Sequence, residues 1–93
     1  MTDNTRLVRE LVVENSAGIH ARVSTMLVQK SKEFLSEIIL RKGSAIAHSD
    51  SMIDLLSLGA AQGEKVTVEA TGSDASAAIE AIANLFVNKF YEE

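Results

Sequence analysis

One segment of the chain combines residue types that could carry phosphoryl chemistry, namely residues 15–22, which read NSAGIHAR. Free imidazole titrates near pH ~6.5, so His20 can offer a neutral, nucleophilic nitrogen at physiological pH. Arg22 follows two residues later, and its guanidinium carries forked donors that match phosphate oxygens. Gly18 permits a backbone conformation that other residues resist, which would help a turn to present the ring outward. These residues could form a histidine that accepts a phosphoryl group, but taken alone they fit equally a histidine that is only solvent-exposed or hydrogen-bonded at a helix start.

The neighbouring elements would hold His20 at the start of a helix. β-Branched residues and leucines interspersed with charges predict a strand over residues 7–14, and residues 15–18 supply turn chemistry. Apolar residues at three- and four-residue spacing then predict a helix over residues 21–34. The first N–H groups of a helix lack intrahelical partners and its dipole is positive there, so this end attracts anions. An anion held there would lie beside the imidazole.

The remaining pattern predicts two further helices and three further strands. They are strands over 36–41 and 44–49 joined by a turn at Lys42-Gly43, a helix capped by Asp50 or Ser51 and ending near Leu58, a strand over 65–71, and a helix capped by Ser73 or Asp74 and ending near Tyr91. The order β-α-β-β-α-β-α is typical of a two-layer α+β sandwich. Pattern alone leaves open a ferredoxin-like domain, which shares the first six elements.

Length and composition predict a single domain over residues 1–93, because two cores in a chain of 93 residues would each be too small to stay folded. The absence of cysteine excludes a disulfide framework, a thiolate nucleophile and a cysteine-based metal site. No secretory signal and no apolar run approaching ~20 residues is present, so we expect a cytoplasmic protein with no membrane contact. A net charge of −4 offers no basic stripe for nucleic acid.

Two linked motifs make the chain resemble the phosphocarrier HPr family of the bacterial sugar and nitrogen phosphotransferase systems. Residues 15–22 are similar to the family pattern N-x-x-G-[IL]-H-A-R-P, and residues 51–63, with SMIDLLSLG and a following Gln-Gly, are similar to S-I-M-x-L-x-[ST]-L-G…G. The spacing of the two motifs fits the family, and the resemblance covers roughly residues 7–90. One departure is Val23, where the family usually has Pro, and it should leave the helix start less preorganised.

The resemblance implies an open-faced β-sandwich, with a four-stranded antiparallel sheet and three helices on one face. It implies a monomeric phosphocarrier rather than an enzyme, without a cofactor or a metal. His20 would accept phosphate on Nδ1 from enzyme I, charged by phosphoenolpyruvate, with Arg22 beside it, and would pass it to a IIA-type protein. Ser51 aligns with the regulatory serine that HPr kinase/phosphorylase modifies in many bacteria. The surface that docks enzyme I and the acceptors would include Met52, Ile53 and Leu56.

Simpler interpretations stay open for these residues. Ser51 would be an effective N-cap without any regulation, and Met52, Ile53 and Leu56 could be ordinary core. His48 has no acid, serine or second histidine at a recognisable spacing and is interpreted as structural. A self-sufficient enzyme would need a nucleophile–base–orienter set or a metal-ligand cluster, and neither is visible. The competing functions are a ligand-sensing ferredoxin-like domain and a regulatory HPr paralogue, including a nitrogen-type one, that acts through protein binding.

Overall fold

The computed structural model describes residues 5–92. Its elements are β1 (Arg6–Val12), α1 (Ala21–Ser31), β2 (Glu37–Lys42), β3 (Ala45–His48), α2 (Met52–Leu58), β4 (Lys65–Thr71) and α3 (Ala75–Val87), followed by a 3-10 turn at Lys89–Tyr91. The strands form one antiparallel sheet in the order β1-β4-β2-β3. The three helices cover one face of it, which confirms the predicted open-faced α+β sandwich.

The core lies between the sheet and the helices and is largely aliphatic. On strand β4, for example, the side chains of Val66, Val68 and Ala70 point into the core, while the residues between them face away from the helices. Helix α3 contributes Ile82 and Phe86, both buried, so the seventh element is integral to the core. Each fully buried side chain of this size stabilises the fold by about 1.5–3 kcal/mol. Among the described residues, no helix is long and apolar enough to cross a membrane.

Two predicted helix ends are wrong. Helix α1 ends at Ser31 rather than at Phe34, because the chain after it is held by the carboxylate of Asp74. That carboxylate accepts hydrogen bonds from the backbone N–H groups of Leu35 and Ser36, at 2.8 and 2.9 Å, and from the Ser36 hydroxyl at 2.5 Å. These bonds, the one from the hydroxyl above all, lower the pKa of Asp74.

Asp74 occupies the predicted N-cap position of α3, yet its side chain makes no capping bond to that helix. At its other end α3 stops at Val87 instead of continuing to Tyr91. The chain then adopts left-handed backbone conformations, with φ of 54° at Lys89, 51° at Phe90 and 58° at Tyr91. This change of hand lets the chain bury Phe90 against Phe86, with ring centroids 4.9 Å apart in an edge-to-face arrangement.

The open face of the sheet is centred on a buried carboxylate. Glu69 on β4 lies between Arg6 on β1 and Arg41 on β2, and its side chain is 8% exposed. Arg6 donates to one carboxylate oxygen from Nε and Nη2, at 3.1 and 2.8 Å, and Arg41 donates to the other oxygen from Nε. A buried charge is tolerated when it is paired and hydrogen-bonded in this way. The group therefore joins three neighbouring strands across the face that no helix covers.

We predict that Glu69→Gln lowers the free energy of unfolding by about 1–3 kcal/mol at pH 7, because two guanidinium groups lose their charged partner. Hydrogen bonds from Arg41 and then Arg6 lower the pKa of Glu69 from its ordinary 4.5. A depressed pKa gives stability that is present above pH 4.5 and is lost as pH falls through the folded-state value. The difference in free energy of unfolding between the native protein and Glu69→Gln should therefore become smaller below pH 4.5.

Urea unfolding over a series of pH values would test this. The matched control is Glu10→Gln, which removes an exposed carboxylate that lies 3.8 Å from Lys65 on the same face of the sheet. Glu10→Gln should lower the free energy of unfolding by well under about 1 kcal/mol. A gap for Glu69→Gln that stays constant down to low pH would contradict the prediction.

Candidate functional site

The turn between β1 and α1 is fixed by Gly18 and a contact with the chain at Ala60. Gly18 has a φ of +70°, and a Cβ atom at this position would lie 2.6 Å from the Ala60 carbonyl oxygen. The same oxygen accepts the N–H of Ile19 at 3.0 Å. Asn15, which is fully buried, donates from Nδ2 to the Gly18 carbonyl at 2.8 Å. Only glycine fits this turn, which leads directly into His20.

His20 is the N-cap residue of α1, at the predicted start of the helix. Its Nδ1 accepts a hydrogen bond from the backbone N–H of Arg22 at 3.2 Å, and its carbonyl accepts the N–H of Ser24 at 2.8 Å. Because a backbone N–H can only donate, Nδ1 must present a lone pair, and the proton of the neutral ring is on Nε2. The side chain is 34% exposed, so the ring is accessible from outside.

A carboxylate that no local sequence pattern reveals lies against this ring. Glu92 places its two oxygens 3.0 and 3.1 Å from Nε2 of His20. It also accepts hydrogen bonds from Asn15 Nδ2 at 2.7 Å and from Arg22, at 3.2 Å from Nε and 2.5 Å from Nη2. The hydrogen bonds from Arg22, Asn15 and His20 lower the pKa of Glu92 to about 2. Three side chains thus converge on one ionised carboxylate.

Residues 88–92, which we call the C-terminal strap, hold Glu92 in place. Left-handed backbone is unfavourable for side chains other than glycine, by roughly 1–2 kcal/mol per residue, and the strap contains three such residues in succession. Two contacts offset this cost. The Phe90 side chain is fully buried, and its carbonyl accepts a hydrogen bond from Arg22 Nη2 at 2.8 Å. The strap therefore lies against the start of α1.

Val23 is fully buried beneath the first turn of α1. It belongs to the same core cluster as Leu27, one helical turn further along. A valine at this position therefore contributes apolar burial where a proline would instead restrict the backbone.

The second predicted region lies at the start of α2, a helix that packs against α1. Ser51 is the N-cap residue of α2, and its hydroxyl accepts the N–H of Asp54 at 3.2 Å. The Asp54 carboxylate accepts the backbone N–H of His48 and lies 3.0 Å from its Nδ1. No acid stands at a recognisable sequence spacing from His48, yet the fold gives it the Asp54 carboxylate as a partner, and the bond to Asp54 raises the pKa of His48. Among residues 5–92, no group of three or more His, Cys, Asp or Glu could hold a metal ion.

Helix α2 buries Leu55 and Leu58 but leaves other apolar side chains at the surface, so the alternative that Met52, Ile53 and Leu56 are ordinary core is wrong for two of them. Ile53 is 75% exposed and Leu56 is 45% exposed. Met52 is partly exposed, and its sulfur lies 3.6 Å from the hydroxyl of Thr25 on α1. We call Met52, Ile53 and Leu56 the α2 patch. Its contact with Thr25 connects the patch to the helix that begins at His20.

A histidine at a helix start, on an open-faced sandwich of this topology, defines a class of small phosphocarrier domains, and comparisons with known proteins agree. A family model described as the PTS HPr component phosphorylation site matches residues 7–88. Phosphocarrier protein NPr of Shewanella violacea is 38% identical over 88 residues, which cover 95% of this chain and 97% of that protein. Phosphocarrier protein HPr of Xylella fastidiosa is 34% identical over 87 residues, or 94% and 98% of the two chains.

Solved structures that resemble this chain are also HPr proteins. The crystal structure of HPr-C-His from Thermoanaerobacter tengcongensis matches with a TM-score of 0.89 and 33% identity, over 94% of this chain and 98% of that one. The chain belongs to the HPr family of phosphocarrier proteins. It is a phosphocarrier of the phosphotransferase system, and membership of the family implies interaction with proteins of that system.

Proposed function

We propose that His20 is the residue that carries the phosphoryl group and that Nδ1 is the nitrogen that binds it. The observation that supports this most directly is the hydrogen bond from the Arg22 N–H to Nδ1 at the start of α1. A phosphoryl oxygen on Nδ1 could accept the same N–H and would lie at the positive end of the helix dipole. Nε2 instead faces the carboxylate of Glu92, which would repel a dianion. The two ring nitrogens are therefore not equivalent.

The transfer itself needs little from the protein beyond position and charge. The Nδ1 lone pair attacks the phosphorus of the donor while the bond from phosphorus to the donor breaks, and the ring proton stays on Nε2. The Arg22 N–H then exchanges Nδ1 for a phosphoryl oxygen. The Arg22 guanidinium, which is about half exposed, would supply forked donors to the other oxygens. The reverse sequence delivers the phosphoryl group to an acceptor.

For the donor we propose enzyme I charged by phosphoenolpyruvate, and for the acceptor a IIA-type protein, with the carrier acting as a cytoplasmic monomer. The α2 patch is the surface proposed to dock both. Exposed apolar side chains next to a reactive group fit a protein-binding surface, and a methionine at its edge can adapt to more than one partner. Both HPr and NPr proteins are relatives of the chain, so sugar and nitrogen systems are both candidate pathways.

Incubation with enzyme I and phosphoenolpyruvate should add one phosphate to the native protein, and His20→Ala should abolish the addition. The bond should be labile in acid, as expected for a phosphorus–nitrogen linkage. His48→Ala is the matched control, because it removes the other histidine of the chain and should leave the incorporation intact. Intact-protein mass spectrometry gives the readout. Absence of phosphate from the native protein, or its persistence in His20→Ala, would refute the assignment.

Docking through the α2 patch predicts that Ile53→Glu slows phosphorylation by enzyme I about 10-fold or more, because burying an unpaired charge in an apolar interface is costly. The loss should appear in KM, since the transferring atoms are untouched. Leu35→Glu is the control, as Leu35 is 88% exposed in the loop at the far end of α1. Steady-state kinetics at varied carrier concentration would separate the two variants, and equal losses would argue against the patch.

We also propose Ser51 as a regulatory phosphorylation site for a kinase of the HPr kinase/phosphorylase type. A phosphate there would add a dianion next to the apolar α2 patch and so weaken docking. Incubation with such a kinase and ATP should add one acid-stable phosphate, and Ser51→Ala should not accept it. If the phosphate appears on another residue, or if phosphorylated Ser51 leaves the enzyme I reaction unchanged, Ser51 is a helix cap without a regulatory role.

A further inference from the structure

We propose that Glu92 is a positioning residue for phosphoryl transfer, whose carboxylate keeps the His20 proton on Nε2 and so leaves Nδ1 free to act as the nucleophile. It also balances the positive charge that the ring gains when Nδ1 binds phosphorus. This inference rests on the proposed function of His20 and extends it to a residue 72 positions away in the sequence.

The geometry separates the reacting nitrogen from the carboxylate. Both oxygens of Glu92 lie within 3.1 Å of Nε2 of His20, whereas Nδ1, across the ring, contacts the N–H of Arg22. The carboxylate therefore binds the ring without covering the nitrogen that would react. A carboxylate that accepts the N–H of an imidazole fixes both the tautomer and the orientation of the ring.

The carboxylate is itself held by groups other than the ring. Asn15 is fully buried and its Nδ2 contacts both the Gly18 carbonyl, at 2.8 Å, and Glu92, at 2.7 Å. Asn15 therefore ties the carboxylate to the turn that presents His20. Arg22 adds two charge-assisted hydrogen bonds from the first turn of α1. Through Asn15, Glu92 would keep its position relative to the ring even when the Arg22 guanidinium contacts the phosphoryl oxygens.

Charge balance gives the carboxylate a role during transfer. Attack by the neutral ring produces an imidazole with phosphorus on Nδ1 and hydrogen on Nε2, and this ring is positively charged. Transfer to an acceptor breaks the nitrogen–phosphorus bond, and the ring leaves as the same neutral tautomer. No proton is exchanged with solvent in either direction. Glu92, whose pKa of about 2 keeps it ionised, offsets the ring charge in the intermediate state.

The strained strap is a second, independent observation. Three consecutive residues, Lys89, Phe90 and Tyr91, keep left-handed backbone that their side chains disfavour. Backbone strain of this kind clusters at functional sites, where the surrounding structure over-determines it. Here the strain directly precedes Glu92.

A different role would also use these contacts. Since Glu92 binds the Arg22 guanidinium, its carboxylate could act as a competitor that keeps this cation from the phosphoryl oxygens. The two roles predict opposite outcomes. A positioning residue accelerates phosphorylation, and a competitor retards it.

The test compares Glu92→Gln, which keeps a hydrogen-bond acceptor but loses the charge, with Glu92→Ala, which loses both. We expect Glu92→Gln to slow phosphorylation by enzyme I and phosphoenolpyruvate roughly 3- to 10-fold, since a charge-assisted bond becomes a neutral one, and Glu92→Ala to slow it further. Glu10→Gln is the matched control on the sheet face away from the helices and should match the native rate. Circular dichroism would show that all variants fold.

A spectroscopic readout separates positioning from a general structural effect. The ¹⁵N chemical shifts of the imidazole at a pH where the ring is neutral should show hydrogen on Nε2 in the native protein, and an increased share of the Nδ1–H tautomer in Glu92→Ala.

A native rate of phosphorylation together with an unchanged tautomer in the Glu92 variants would overturn the inference and leave the function of His20 intact. Faster phosphorylation would overturn it in favour of the competitor. Failure of the native protein to accept phosphate would instead refute the proposed function, while the tautomer shift would still test the role of Glu92.

Discussion

The hydrogen bond between the first turn of α1 and Nδ1 of His20 is the constraint on which the site depends. It favours a lone pair on Nδ1, as the contact between Glu92 and Nε2 does from the other side of the ring, and it requires that the helix begin at Ala21. That beginning depends in turn on Gly18, whose backbone touches the chain at Ala60, between α2 and β4. The His20 ring is therefore oriented by the tertiary structure as a whole, because the turn closes only when β1 and the segment before β4 are in place.

The fold uses carboxylate–guanidinium contacts in two distinct ways. Glu69 and its two arginines join three strands, and the carboxylate is nearly inaccessible to solvent. Glu92 and Arg22 meet at the surface beside a titratable ring, where the arginine is about half exposed and can change partners. The first arrangement stabilises one structure, since removing an arginine would leave the buried carboxylate with less compensation for its charge. The second leaves the Arg22 guanidinium accessible from outside while the carboxylate stays against the ring.

Local sequence signals predicted much of the architecture. The order of elements, the helix start at His20 and the cap at Ser51 follow from residue types and spacings within a few positions of each feature. Long-range contacts were not predictable in this way. Glu92 reaches His20 only because the chain reverses hand after α3, and the burial of Phe90 that drives this reversal is a tertiary effect. The acid beside His48 was missed because a turn and a helix start lie between the two residues.

The C-terminal strap also has a consequence for dynamics. The backbone N–H groups of Asn88, Tyr91 and Glu92 bond to carbonyls of residues 84–89, and the contacts with the rest of the domain are made by the Phe90 ring, the Phe90 carbonyl and the Glu92 carboxylate. We therefore expect the strap to open locally before the whole domain unfolds. Each such opening would withdraw Glu92 from the imidazole while the sheet stays intact. On heating, the imidazole would therefore lose its contact with the Glu92 carboxylate at temperatures where the sheet and the helices are still folded.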